Sequence, residues 1–146
     1  MSMPTPTTAP TAIRPGFRDE AVRQARKMAS DVLDECRRSG CEAATDRADD
    51  VLLVVSELVT NACRHAGGAD TVRVGWQEGE LMVEVEDASD TMPQEPAAEA
   101  KGEAGGYGCQ LVAALADRWG ATPRRGSGPG TQPFSGKTVY AGFALA

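Results

Sequence analysis

Between Asp19 and Arg38 the apolar residues recur as Ala21, Val22, Ala25, Met28, Ala29, Val32 and Leu33. Steps of three and four place them on one helical face, and Gly40 follows as a stop. A second helix is predicted from about Thr45 to His65, capped by Thr45 or Asp46 and ended by Gly67-Gly68. Its inward stripe is Leu52, Val55, Val59 and Ala62, while Glu57, Asn61 and Arg64 point elsewhere. The period then changes to two: TVRVGW and ELMVEVED alternate, joined by the short QEG, and predict a hairpin over Thr71–Trp76 and Glu80–Asp87.

After Asp87 the pattern fails. DTMPQEPAAEAKGEAGGYG holds two prolines and four glycines and predicts a loop. A third helix is expected from about Tyr107 to Arg118, burying Leu111, Val112 and Leu115. ATPRR and GKTVYAGFAL read as closing strands, connected by GSGPGTQPFS. Two helices, a hairpin, a helix and two strands suggest a two-layer α/β sandwich. The Pro/Thr-rich start, residues 1–15, predicts a disordered tail before one domain over 16–146.

Composition narrows the partners. Fifteen basic residues stand against 21 acidic ones, a net charge of −6, with no basic run to grip nucleic acid. No apolar stretch is long enough for a membrane span, and no signal-type h-region opens the chain, so a cytoplasmic location is expected. Cys36, Cys41, Cys63 and Cys109 form no CxxC pair, which favours free thiols over a zinc or redox site.

Four features carry candidate chemistry. In SELVTNACRH, Glu57, Asn61 and the only histidine, His65, recur every four residues and form one stripe. A carboxylate and an amide oxygen so placed can face one hard cation. Taken alone, the stripe reads more readily as a solvated face ending in a histidine favoured by the helix dipole. Gly105, Gly106 and Gly108 lead into the third helix, where bare amides make an anion cradle or simply a flexible turn. Asp87 ends a strand, where it can accept from an exocyclic amine or form a turn. Gly136-Lys137-Thr138 opens the last strand and is no P-loop.

In this order, E-x-x-x-N on a helix, a strand-end Asp, G-G-x-G before a helix and a late GKT resemble the GHKL (Bergerat) ATP-binding fold. SELVTNACRHAGG, YGCQLVAALADRWG and GKTV are similar, more narrowly, to the anti-sigma-factor serine kinases of the type common in actinobacteria. The resemblance covers about Phe17 to Leu145. It implies an α+β two-layer sandwich whose mixed, mostly antiparallel sheet is covered on one face by about three helices.

The resemblance also implies ATP and Mg²⁺ as cofactors, with Asn61 as metal ligand and Glu57 as general base. Asp87 would read the adenine amino group, and Thr138 would support the adenine side through water. Gly105, Gly106 and Gly108 would wrap the phosphates, with helix-start amides from Tyr107, Cys109, Gln110 and Leu111. Residues 90–104 would be an ATP lid. Ser89 stands where the family carries the glycine of D-x-G, and would either crowd the purine or replace a water. The implied activity is a serine protein kinase that sequesters a sigma factor and phosphorylates a STAS-type anti-anti-sigma protein, usually as a homodimer. A catalytically weak module acting by sequestration alone is the alternative.

Overall fold

The computed structural model describes residues 8–13, 18–66, 68–89, 107–124 and 136–145. In chain order these form β1 (Thr8–Ile13), α1 (Arg18–Arg38), α2 (Ala43–Ala66), β2 (Ala69–Gln77), β3 (Glu80–Asp87), α3 (Tyr107–Leu115), β4 (Arg118–Pro123) and β5 (Lys137–Ala144). The strands make one sheet in the order β1-β2-β3-β5-β4. Each of its four pairings is antiparallel, so the sheet carries no parallel component among the described residues. The architecture is the expected α+β two-layer sandwich, with the parallel part of the expected mixed sheet absent from what is described.

Alternation decides which side of the sheet is covered. Val72, Val74 and Trp76 of β2, Leu81, Val83 and Val85 of β3, and Val139, Ala141 and Phe143 of β5 are buried on one face. Against them lie Ala21, Ala25, Met28, Ala29, Val32 and Leu33 of α1, and Val51, Val54, Val55, Leu58, Val59 and Ala62 of α2. Each large apolar side chain removed from water here contributes about 1.5–3 kcal/mol. The intervening strand positions, among them Arg73, Glu80, Glu84, Glu86, Thr138 and Tyr140, face away from the helices and are only part-buried.

The hairpin is tighter than QEG suggested. Gln77 pairs with Glu80, which leaves Glu78 and Gly79 as a two-residue turn. Both have positive φ, 53° and 77°, as a type I′ turn requires. Gly79 takes that conformation without cost, whereas Glu78 does not.

Two expectations change. Thr8–Ile13, expected in a disordered tail, pairs with β2 as an edge strand. Pro10 falls in the irregular stretch between Thr8 and Thr11, where a missing N–H disrupts no central ladder. The third helix stops at Leu115 rather than Arg118. The Asp117 amide donates to the Gly142 carbonyl at 2.9 Å, and Arg118 already pairs with Gly142, so β5 captures the chain and starts β4 early.

Candidate functional site

The candidate residues converge because of how the chain enters and leaves one end of the sheet. Asp87, the last residue of β3, pairs with Lys137, the first described strand residue of β5. Ala69, at the start of β2, pairs with Asp87 from the other side, and Pro123, at the end of β4, pairs with Lys137. α2 arrives at this end, since Ala66 precedes Ala69 by three residues and the Gly68 amide closes onto the Ala62 carbonyl at 3.0 Å. α3 runs the other way. Its C-terminus feeds β4 at Arg118, opposite Gly142 at the far end of the sheet, and Arg47 near the start of α2 donates to the Leu115 carbonyl at 2.9 Å. α3 therefore lies antiparallel to α2, with Tyr107 at the Asp87 end. Its nine residues span about 13 Å.

On α2, Glu57 and Asn61 are half-buried and one turn apart. Neither side chain has a polar partner among the described residues. Neighbouring Ser56 is fully engaged by contrast, donating to the Leu52 carbonyl at 2.9 Å and accepting from Arg26 at 2.7 Å. His65 belongs to the last turn of α2.

Asp87 is the one acid in the buried row of β3, which otherwise reads Leu81, Val83, Val85. Its Oδ1 accepts from the Ser89 amide at 2.9 Å, an Asx-type turn that starts the chain away from the sheet. The same oxygen accepts from Lys137 Nζ at 3.0 Å. Both side chains are almost wholly enclosed, 3% and 7% exposed. The Asp87 carbonyl accepts from Arg124 at 3.1 Å, and Arg124 also reaches Asp70 at 2.8 Å. Gly136 makes the close approach of β5 possible. Its φ is +95°, and a Cβ there would lie 2.0 Å from the Asp87 carbonyl oxygen.

The sheet thus places Asp87 at the end where α2 finishes, the end toward which the N-terminus of α3 points. Gly108, Cys109, Gln110 and Leu111 are in that first turn and the residues after it, with Gln110 and Leu111 half-buried. Gly105, Gly106 and the expected lid 90–104 lie outside the described residues. Ser89 is half-buried beside Asp87 and contributes its amide. Thr138 needs correction. One residue after Lys137, it projects from the opposite face of the sheet beside Glu86, so its side chain does not share the side on which Asp87 sits. Sequence inspection missed Lys137 and Arg124. Lys137 does have the parity of Val139, Ala141 and Phe143, which marks an inward lysine once the strand face is known.

The thiol reading gains little. Cys36, Cys41 and Cys63 are free. Burial pushes the Cys36 thiol up to about 11, away from the thiolate that redox chemistry needs. Cys41 donates to the Leu145 carbonyl at 3.1 Å, and no group of three or more metal-binding side chains occurs among the described residues. No described helix is long and apolar enough to cross a membrane.

The chain is thus a helix-covered antiparallel sheet with a polar helix stripe on α2 and an acid at the end of β3. The model of the histidine kinase-like ATPase domain matches residues 17–132, and the chain belongs to that ATP-binding family. No curated protein matches the chain.

Proposed function

We propose that this chain binds ATP with Mg²⁺ and acts as a serine protein kinase on a STAS-type anti-anti-sigma protein, while holding a sigma factor in the alternative complex. The observation that carries the kinase assignment is the pair Glu57 and Asn61. They are half-buried and without a polar partner among the described residues, on the helix whose last turn reaches the sheet end that carries Asp87. The partner assignment rests on the likeness of SELVTNACRHAGG, YGCQLVAALADRWG and GKTV to the anti-sigma-factor kinases.

The residues present fit a magnesium nucleotide. The Asn61 amide oxygen is a hard donor suited to Mg²⁺, with its remaining ligands left to water and phosphate. The first-turn amides of α3 have no intrahelical acceptor and stand at the positive end of the helix dipole, where phosphate charge is favoured. Asp87 offers a buried acceptor to an exocyclic amine. Bound ATP supplies the phosphoryl group, and Mg²⁺ the neutralisation of charge that in-line transfer needs. Glu57 takes the proton of the incoming serine hydroxyl, and with no ion-pair partner among the described residues it is available to do so.

Glu57→Ala tests the assignment. Transfer to a serine of the partner should fall by about 10²–10⁴-fold, with ATP affinity retained. Parallel loss of both would remove Glu57 from the role of base. One observation favours a second function: Asp87 already has Lys137 as an ion-pair partner. If that pair blocks nucleotide, the domain acts by sequestration alone, and radiolabelled ATP with a STAS protein would give no phosphoserine.

A further inference from the structure

The Asp87–Lys137 pair has hydrogen-bonding capacity that the described protein does not use. An ammonium carries three N–H donors. Lys137, with a side chain only 7% exposed, spends one of them, on Asp87 Oδ1 at 3.0 Å. That oxygen also takes the Ser89 amide, so both contacts fall on Oδ1 and Oδ2 accepts from no described group. A ligand that offered an acceptor to the ammonium and a donor to Oδ2 would gain two hydrogen bonds at an enclosed site. Both groups share the helix-facing side of the sheet, at the end where α2 finishes.

We propose that Lys137 reads the nucleobase together with Asp87, donating to a ring nitrogen while Asp87 accepts from the neighbouring exocyclic amine. A spare donor beside a spare acceptor complements the edge of a 6-aminopurine, whose N6 amino group is a donor and whose N1 is an acceptor. This rests on the ATP-site assignment above and adds a residue to it. Thr138, which faces the other side of the sheet, takes no part. Lys137 is a specificity residue, and its contact with Oδ1 orients the carboxylate whether or not a base is present.

The test changes the ligand rather than the fold. Binding of ATP and of 1-deaza-ATP, which lacks only the N1 acceptor, is measured by calorimetry on the full chain with Mg²⁺. Loss of a hydrogen bond to a buried charged donor predicts that 1-deaza-ATP binds on the order of tenfold more weakly. The double variant Asp87→Asn/Lys137→Met leaves no uncompensated charge and should bind the two ligands equally. Equal affinity of the wild-type chain for both ligands would overturn the role of Lys137 while leaving the ATP site standing. So would a tenfold preference that survives in the double variant. Failure of the wild-type chain to bind ATP at all would overturn the ATP site and this inference together.

Discussion

β3 begins and ends with an acid held by a base, and the two pairs differ in nearly everything else. Glu80 is seven residues from Asp87, an odd offset, so the two side chains leave opposite faces of the sheet. At the open face Arg118 grips Glu80 with two bonds of 2.7 and 2.6 Å, with side chains 57% and 32% exposed. On the helix side Lys137 meets Asp87 once, at 3.0 Å, in near-complete burial. The better geometry belongs to the pair that matters less. Water and salt already solvate the Glu80 pair, whereas removing one partner of the Asp87 pair leaves an uncompensated charge indoors.

Substitution should separate the two ends by size of effect. Lys137→Ala should destabilise the fold most, by about 3–5 kcal/mol in denaturant unfolding, and replacing both partners by apolar residues should recover much of it. A loss below about 1 kcal/mol would mean that the Asp87 end is wetter than its burial indicates.

The glycines that flank each pair give the next contrast. At Gly136 an added Cβ meets the backbone of Asp87 and must adopt a positive φ, so Gly136→Ala should cost about 2–3 kcal/mol. At Gly142 the nearest atom is Glu80 Oε2 at 2.8 Å, the tip of a flexible, part-buried side chain. Gly142→Ala should therefore be the milder change by thermal unfolding.

Glu80→Gln should have the smallest effect of the four. Hydrogen bonding to Arg118, ahead of the opposing effect of burial, holds the Glu80 carboxyl below its ordinary value of 4.5. A carboxyl with a lowered folded pKa adds stability that is present above the unfolded value and lost as pH falls through the folded one. Wild type and Glu80→Gln should thus differ slightly at neutral pH, converge as pH falls through the lowered Glu80 pKa, and converge also in high salt. A difference that persists in high salt would overturn the surface account.

Local spacing made some of this site legible and distant pairing hid the rest. Glu57 and Asn61 share a stripe because an α-helix fixes residues four apart, and no tertiary knowledge is needed. The apolar periods likewise located α1, α2 and the β2–β3 hairpin closely. Asp87 could be seen to end a strand, but its partner could not, since the β3–β5 register couples residues 50 apart. For the same reason Thr138 seemed the natural site residue of GKT, when strand parity turns Lys137 inward. The Pro-rich composition of Thr8–Ile13 argued for disorder, yet a sheet edge tolerates Pro10. Gly136 looked uninformative in sequence, and its reason appears only when β5 lies against the Asp87 backbone.

The central claim is that one end of the sheet assembles a magnesium-nucleotide site from α2, β3 and α3. Titration of ATP into wild-type chain and Asn61→Ala, each with and without Mg²⁺, tests it most directly. The wild-type chain should bind ATP more tightly with Mg²⁺ than without, and Asn61→Ala should lose that gain while keeping its fold by circular dichroism. Wild-type chain that fails to bind ATP, or an Asn61→Ala variant with the full Mg²⁺ dependence, would contradict the account.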